Sequence, residues 1–157
     1  MIIKGIQDEN FQDYKICSMF IAFPKCSFKC EKELRISCCQ NKELASSPDV
    51  EVSYDEIVEQ YINNPLSKAI IFGGLEPFES LSDVLELINH FRKVTIDPII
   101  IYSGFTKEEL KTPIKLLKLY KNIIIKYGRF IPDNISHYDE VLGINLISSN
   151  QYAEVIS

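Results

Sequence analysis

Four short apolar runs punctuate this chain, at Ser18 to Phe23, Ala69 to Phe72, Pro98 to Tyr102 and Ile123 to Tyr127. Each is too short for a helix and is stopped by proline, glycine or serine. Runs of this kind read as strands buried on both faces, which is the signature of a parallel sheet. A fifth candidate lies at Leu142 to Ile147, and an edge strand at Ile2 to Ile6.

Helical patterns separate the runs. Ser53-Tyr54-Asp55-Glu56 is a capping box, in which Ser53 and Glu56 satisfy each other's backbone N–H groups. Ile57, Val58, Tyr61 and Ile62 then fall on one stripe. Leu81 to Lys93 forms the next helix, with Leu81, Val84, Leu85, Ile88 and Phe91 inward. Thr106 to Glu109 is a second capping box, and Thr112-Pro113 restarts a helix that turns Ile114, Leu117 and Leu119 inward. Strands alternating with helices define an α/β chain with a mostly parallel sheet. Ligands in such sheets bind beyond the carboxyl ends of the strands. The residues there are Cys26 and Cys30 after the first run, Gly73-Gly74 after the second, Ser103-Gly104 after the third and Gly128-Arg129 after the fourth.

Four of the five cysteines crowd into one stretch: Cys26, Cys30, Cys38 and Cys39, with Cys17 upstream. Thiolates are soft ligands suited to zinc and iron–sulfur clusters. The long loop from Cys26 to Asp49 holds a single helical turn at Glu31 to Arg35, and loops of this length usually carry function. The formal net charge of −5 and the absence of a basic cluster argue against nucleic acid as a partner. No apolar run approaches the ~20 residues of a membrane span. The acidic amino terminus does not resemble a signal peptide. These features predict a cytoplasmic protein, where clustered cysteines bind metal or catalyse more often than they form disulfides.

Taken in order, these segments resemble the radical S-adenosylmethionine family, and within it the activating proteins of anaerobic ribonucleotide reductase. Cys26-Ser27-Phe28-Lys29-Cys30 is similar to the first half of the family's C-x3-C-x2-C motif. Cys39-Gln40-Asn41 is similar to its ending, after an insertion of about six residues. FGGLEPF at 72–78 resembles a G-G-E-P stretch, with Leu75 intervening, and IYSGFTKEEL at 101–110 resembles Y-T-G-Y-T-x-E-E-L. YGRF at 127–130 is similar to D-G-P-F, and SSNQ at 148–151 matches a segment near the family's carboxyl terminus.

The resemblance implies a partial (βα) barrel in one domain over residues 1–157. It implies a [4Fe–4S] cluster on Cys26, Cys30 and Cys39, with S-adenosylmethionine on its fourth iron. Gly73, Gly74, Glu76, Ser103 and Asn150 are the implied contacts to that ligand. The implied activity is reductive cleavage of S-adenosylmethionine to a 5′-deoxyadenosyl radical. That radical abstracts hydrogen from a glycine of anaerobic ribonucleoside-triphosphate reductase, with flavodoxin or ferredoxin as electron donor. Two other readings of the cysteines stay open at this point: a structural zinc site on Cys26, Cys30, Cys38 and Cys39, and a cluster protein without catalysis.

Overall fold

The computed structural model describes residues 1–157. In chain order the elements are β1 (Ile2–Ile3), β2 (Gly5–Asn10), β3 (Ser18–Phe23), α1 (Lys29–Leu34), α2 (Lys42–Ser46), β4 (Val50–Glu51), α3 (Tyr54–Asn63) and β5 (Ile70–Gly74). There follow α4 (Leu81–Arg92), β6 (Ile99–Tyr102), α5 (Lys111–Leu117), β7 (Ile123–Tyr127), β8 (His137–Asp139), β9 (Ile144–Leu146) and β10 (Tyr152–Val155). No helix is long and apolar enough to cross a membrane.

The central sheet has six strands in the order β10-β7-β6-β5-β3-β2. The four apolar runs become β3, β5, β6 and β7, and their mutual pairings are parallel. The two edge strands pair antiparallel. The sheet is therefore mixed α/β and largely parallel, and its ladder is open at β2 and β10 with no barrel closure.

Alternate side chains of these strands enter two cores. Met19, Ile21, Phe23, Phe72, Ile99, Ile101, Ile123 and Ile125 join the larger core. Ile57, Val58 and Tyr61 of α3, Val84, Leu87, Ile88 and Phe91 of α4, and Ile114 and Leu117 of α5 cover that face. Ile71, Ile100 and Ile124 point the other way, into a smaller core with Tyr14, Leu142 and Leu146. Helices α3, α4 and α5 thus cover one face, while α1 and α2 border the cavity.

Most expected strands and helices fall within a residue or two of the observed ones, with five differences. The edge strand expected at Ile2 to Ile6 divides into β1, which pairs with β4 in a separate sheet, and β2, which runs on to Asn10 at the edge of the central sheet. The loop from Cys26 to Asp49 holds a second short helix, α2. Leu142 to Ile147 does not extend the central sheet. Its core, β9, pairs with β8 in a separate hairpin. The last central strand is β10, which the sequence disguises as a short polar–apolar alternation after a loop. Leu119, expected inward, lies past the end of α5 and is 81% exposed, and Ile62 faces solvent as well.

Ser53 begins α3 as expected: Glu56 N–H donates to Ser53 Oγ at 3.1 Å, and Ser53 N–H donates to Glu56 Oε2 at 2.8 Å. Ser53→Ala removes the cap and is expected to lower stability by ~1 kcal/mol. For a chain of this size that is a fall in Tm of ~2–4 °C, read by thermal circular dichroism. An unchanged Tm would mean that α3 is held by its buried face alone.

Candidate metal and ligand site

The parallel register brings four strand ends to one edge. Phe23 pairs with Gly74, Phe72 with Ile101, and Tyr102 with Lys126. Beyond that edge lies a cavity of about 500 Å³, on the side of the sheet away from α3, α4 and α5. Cys26, Cys30 and Cys39 line it, together with Gly74, Glu76, Ser103, Tyr102 and Lys126.

The cysteine loop is held by specific bonds. Phe28 takes the left-handed conformation (φ 54°), and its N–H donates to Cys26 Sγ at 3.3 Å. Asn41 N–H donates to Cys39 Sγ at 3.4 Å, and Asn41 Nδ2 donates to the Gly74 carbonyl at 2.7 Å. Glu31 reaches across the loop to accept the Cys39 N–H at 2.8 Å and is paired with Lys42 at 3.2 Å. Ser27 N–H donates to Glu79 Oε1 at 2.8 Å.

Burial pushes the Cys26 thiol up to about 11, with Glu79, Glu76 and Cys30 adding to the rise and the Phe28 N–H opposing it. Burial also raises Cys30 and Cys39. These thiols hold their protons until a cation displaces them. No three His, Cys, Asp or Glu side chains are drawn to metal-ligand spacing. Cys26, Cys30 and Cys39 line one cavity.

The same cavity is lined by two buried titratable groups. Glu76 is 4% exposed and accepts from Ser103 Oγ at 2.9 Å, Gly104 N–H at 2.8 Å and Phe78 N–H at 3.2 Å. Burial outweighs these three donors, and the carboxyl is raised to about 7. Lys126 is 7% exposed and donates to the Gly128 carbonyl at 3.0 Å. Burial lowers it to about 8, against the pull of Glu76.

Of the sequence-derived site residues, the structure brings Cys26, Cys30, Cys39, Gly74, Glu76 and Ser103 to this cavity. It does not bring Gly73 or Asn150 to the wall. Gly73 is buried beneath Phe20, whose ring a Cβ there would meet at 2.7 Å. Asn150 Nδ2 donates to the Arg129 carbonyl at 2.9 Å, and Asn150 lines a smaller neighbouring cavity of about 250 Å³. Cys38 lies off the main wall, so four thiols do not face one point. Cys17 is apart, beside Ser67 at 3.7 Å.

Sequence reasoning missed Lys126, Glu31 and Glu79. A lysine interrupting the isoleucines of β7 was the available signal for the first. Glu31 and Glu79 are ordinary surface-type residues until the loop folds back.

Three thiols at the carboxyl end of a parallel sheet, two of them accepting N–H···S bonds, describe an iron–sulfur type of site. The donor set fits a cluster: soft ligands, two of them hydrogen-bonded, with an open cavity beside them. The family model described as "4Fe-4S single cluster domain" matches residues 15–152, and the chain belongs to that family. A comparison with curated proteins finds no match.

Gly74 sits at φ +80°, and a Cβ there would meet Ala22 Cα at 2.9 Å. Gly74→Ala is expected to cost ~1–3 kcal/mol through backbone strain alone. Its carbonyl would also shift away from Asn41. Urea denaturation reads the first effect, and a midpoint equal to wild type would contradict the close approach.

Proposed function

We propose that this protein is a radical S-adenosylmethionine enzyme that activates a glycyl-radical enzyme, anaerobic ribonucleoside-triphosphate reductase. The observation that carries the reading is the lining of one cavity by three cysteines, a buried acid and a buried base. A cavity of about 500 Å³ is of ordinary size for a ligand of this kind.

Cys26, Cys30 and Cys39 would hold a [4Fe–4S] cluster. When bound, the cluster supplies one electron to the sulfonium of S-adenosylmethionine, whose C–S bond opens to give methionine and a 5′-deoxyadenosyl radical that takes hydrogen from the target glycine. The chain's own residues bind and orient. Glu76, as a carboxylate, accepts from the ligand's ammonium group, and Lys126, as an ammonium, donates to its carboxylate. Gly74 would offer its backbone at the cavity edge, its lack of a Cβ being needed for the close approach to Ala22. Ser103 fixes the Glu76 carboxylate. The buried lining keeps water from the reacting bond.

The sheet supports the same reading. Strands β3, β5, β6 and β7 advance in one direction across an open sheet with α3, α4 and α5 on one face, an arrangement that a partial (βα) barrel would share. Ile147 is half-exposed at the mouth, where a loop of the reductase would enter. A flavodoxin or ferredoxin serves as electron donor, and the cytoplasm is the compartment that supplies it.

The ligand-competent site has Glu76 ionised, above about 7, and Lys126 protonated, below about 8. Affinity for S-adenosylmethionine, measured by anaerobic equilibrium dialysis, is expected to peak between these values and fall on both sides. Glu76→Gln should flatten the acid limb and weaken binding by ~10–100-fold, the worth of a charge-assisted hydrogen bond. A profile without limbs would remove Glu76 and Lys126 from the binding machinery. Activity is tested by reducing iron-loaded protein and assaying 5′-deoxyadenosine. Its formation is the expected result. Bound iron without product would instead indicate an electron carrier.

A further inference from the structure

Helix α1 carries Cys30, yet none of its residues is buried and no side chain caps it. Apolar packing therefore does not fix its place. From Phe28 to Gln40, the only hydrogen bonds and ion pairs that leave the Cys26–Asp49 loop are those of Lys29 and Glu33. Both lead to one cluster beyond the end of β7. Lys29 Nζ donates to Glu109 Oε1 at 3.2 Å and stands 4.3 Å from the centre of the Phe105 ring. Glu33 Oε2 lies 3.1 Å from Arg129 Nε, an ion pair without hydrogen-bond geometry.

The other half of the cluster is anchored to the body of the protein. Arg129 grips Glu109 with both terminal nitrogens, Nη2 to Oε1 at 2.7 Å and Nη1 to Oε2 at 2.9 Å. Its Nη1 also donates to the Gly104 carbonyl at 3.3 Å, and its side chain is 11% exposed. Glu109 closes the second capping box: Thr106 N–H donates to its Oε2 at 2.8 Å, and its own N–H donates to Thr106 Oγ1 at 3.3 Å. The next residue, Leu110, is buried in the larger core. Arg129 and Cys30 each line both cavities.

We propose that Glu109 and Arg129 form an ionic latch that docks α1 beyond the end of β7 and so positions Cys30 for metal. The inference rests on the reading of Cys30 as a cluster ligand. Glu109 and Arg129 are positioning residues, acting through Lys29 and Glu33. A bidentate arginine–carboxylate pair fixes direction as well as distance, which gives the latch a rigid half. A segment that buries little can leave the body without unfolding the core. Metal affinity then scales with the docked fraction of α1. Salt screens the latch at its exposed half, where Lys29 and Glu33 meet their partners.

The test titrates full-length, reduced, metal-free protein with cobalt(II) and reads the thiolate-to-cobalt charge-transfer band, with thermal circular dichroism in parallel. Glu109→Gln should weaken cobalt binding about tenfold, the loss of a charge-assisted contact. Lys29→Met, at a half-exposed position, should weaken it about threefold and leave the unfolding midpoint unchanged. The double variant should lose less than the product of the two, because both changes remove one contact. Added salt should weaken binding in the wild type more than in Glu109→Gln. Wild-type affinity in Lys29→Met, or losses that multiply in the double variant, would overturn the latch and leave Glu109 as a residue of the body alone. Cys30→Ala separates the two readings. If it binds cobalt as the wild type does, the ligand assignment fails and the latch with it. If it loses cobalt while Glu109→Gln keeps wild-type affinity, the latch alone fails.

Discussion

The in-register parallel ladder of β3, β5, β6 and β7 is the constraint from which the site follows. Because Phe23, Gly74 and Tyr102 end their strands level with one another and with the last residues of β7, four chemically different loops leave the sheet side by side. None of these loops makes a cavity alone. The ladder itself is secured by near-complete burial of isoleucine and phenylalanine on both faces, at roughly 25 cal/mol for each Å² of apolar surface removed from water. Helices α3, α4 and α5 occupy one of those faces. The other is covered only partly, by the β8–β9 hairpin and Tyr14, and the cavity opens where that cover ends.

On this frame the cysteine loop is fastened in place. Asn41 ties it to the end of β5 through the Gly74 carbonyl, and Glu31 ties its two halves together through the Cys39 N–H. The segment between Cys30 and Cys39 spans most of α1 and the turn beyond, so the wider spacing is absorbed by folded chain rather than by slack. Glu76 and Lys126 follow different logic. Burying them opposes stability, as the directions of their shifts show. Groups held at that cost commonly serve binding or catalysis. Here they line a cavity that three thiols also line.

Much of this was legible in the sequence where one physical rule dominated. Apolar runs bounded by breakers gave the four parallel strands, and Ser53 with Glu56 gave the start of α3. The C-x-N ending singled out Cys39, which lines the cavity while Cys38 does not. What escaped was set by tertiary contact. Strand β10 is short and exposed on one side, and only pairing with β7 makes it a strand. Lys126 looked like an interruption in an apolar run and proved to be a buried charge on the open face. Gly73 and Gly74 are adjacent and identical in sequence. Strand alternation turns Gly73 to the cavity's face, where Phe20 covers it, and Gly74 reaches the cavity as the last residue of β5.

The central claim is that Cys26, Cys30 and Cys39 hold a cubane cluster between them. Iron and acid-labile sulfide should be counted after anaerobic reconstitution of the wild type and of the five single cysteine-to-alanine variants. The account predicts about four irons per chain, lost on replacing Cys26, Cys30 or Cys39 and kept on replacing Cys17 or Cys38. Loss of iron in Cys17→Ala or Cys38→Ala, with retention in Cys39→Ala, would contradict it.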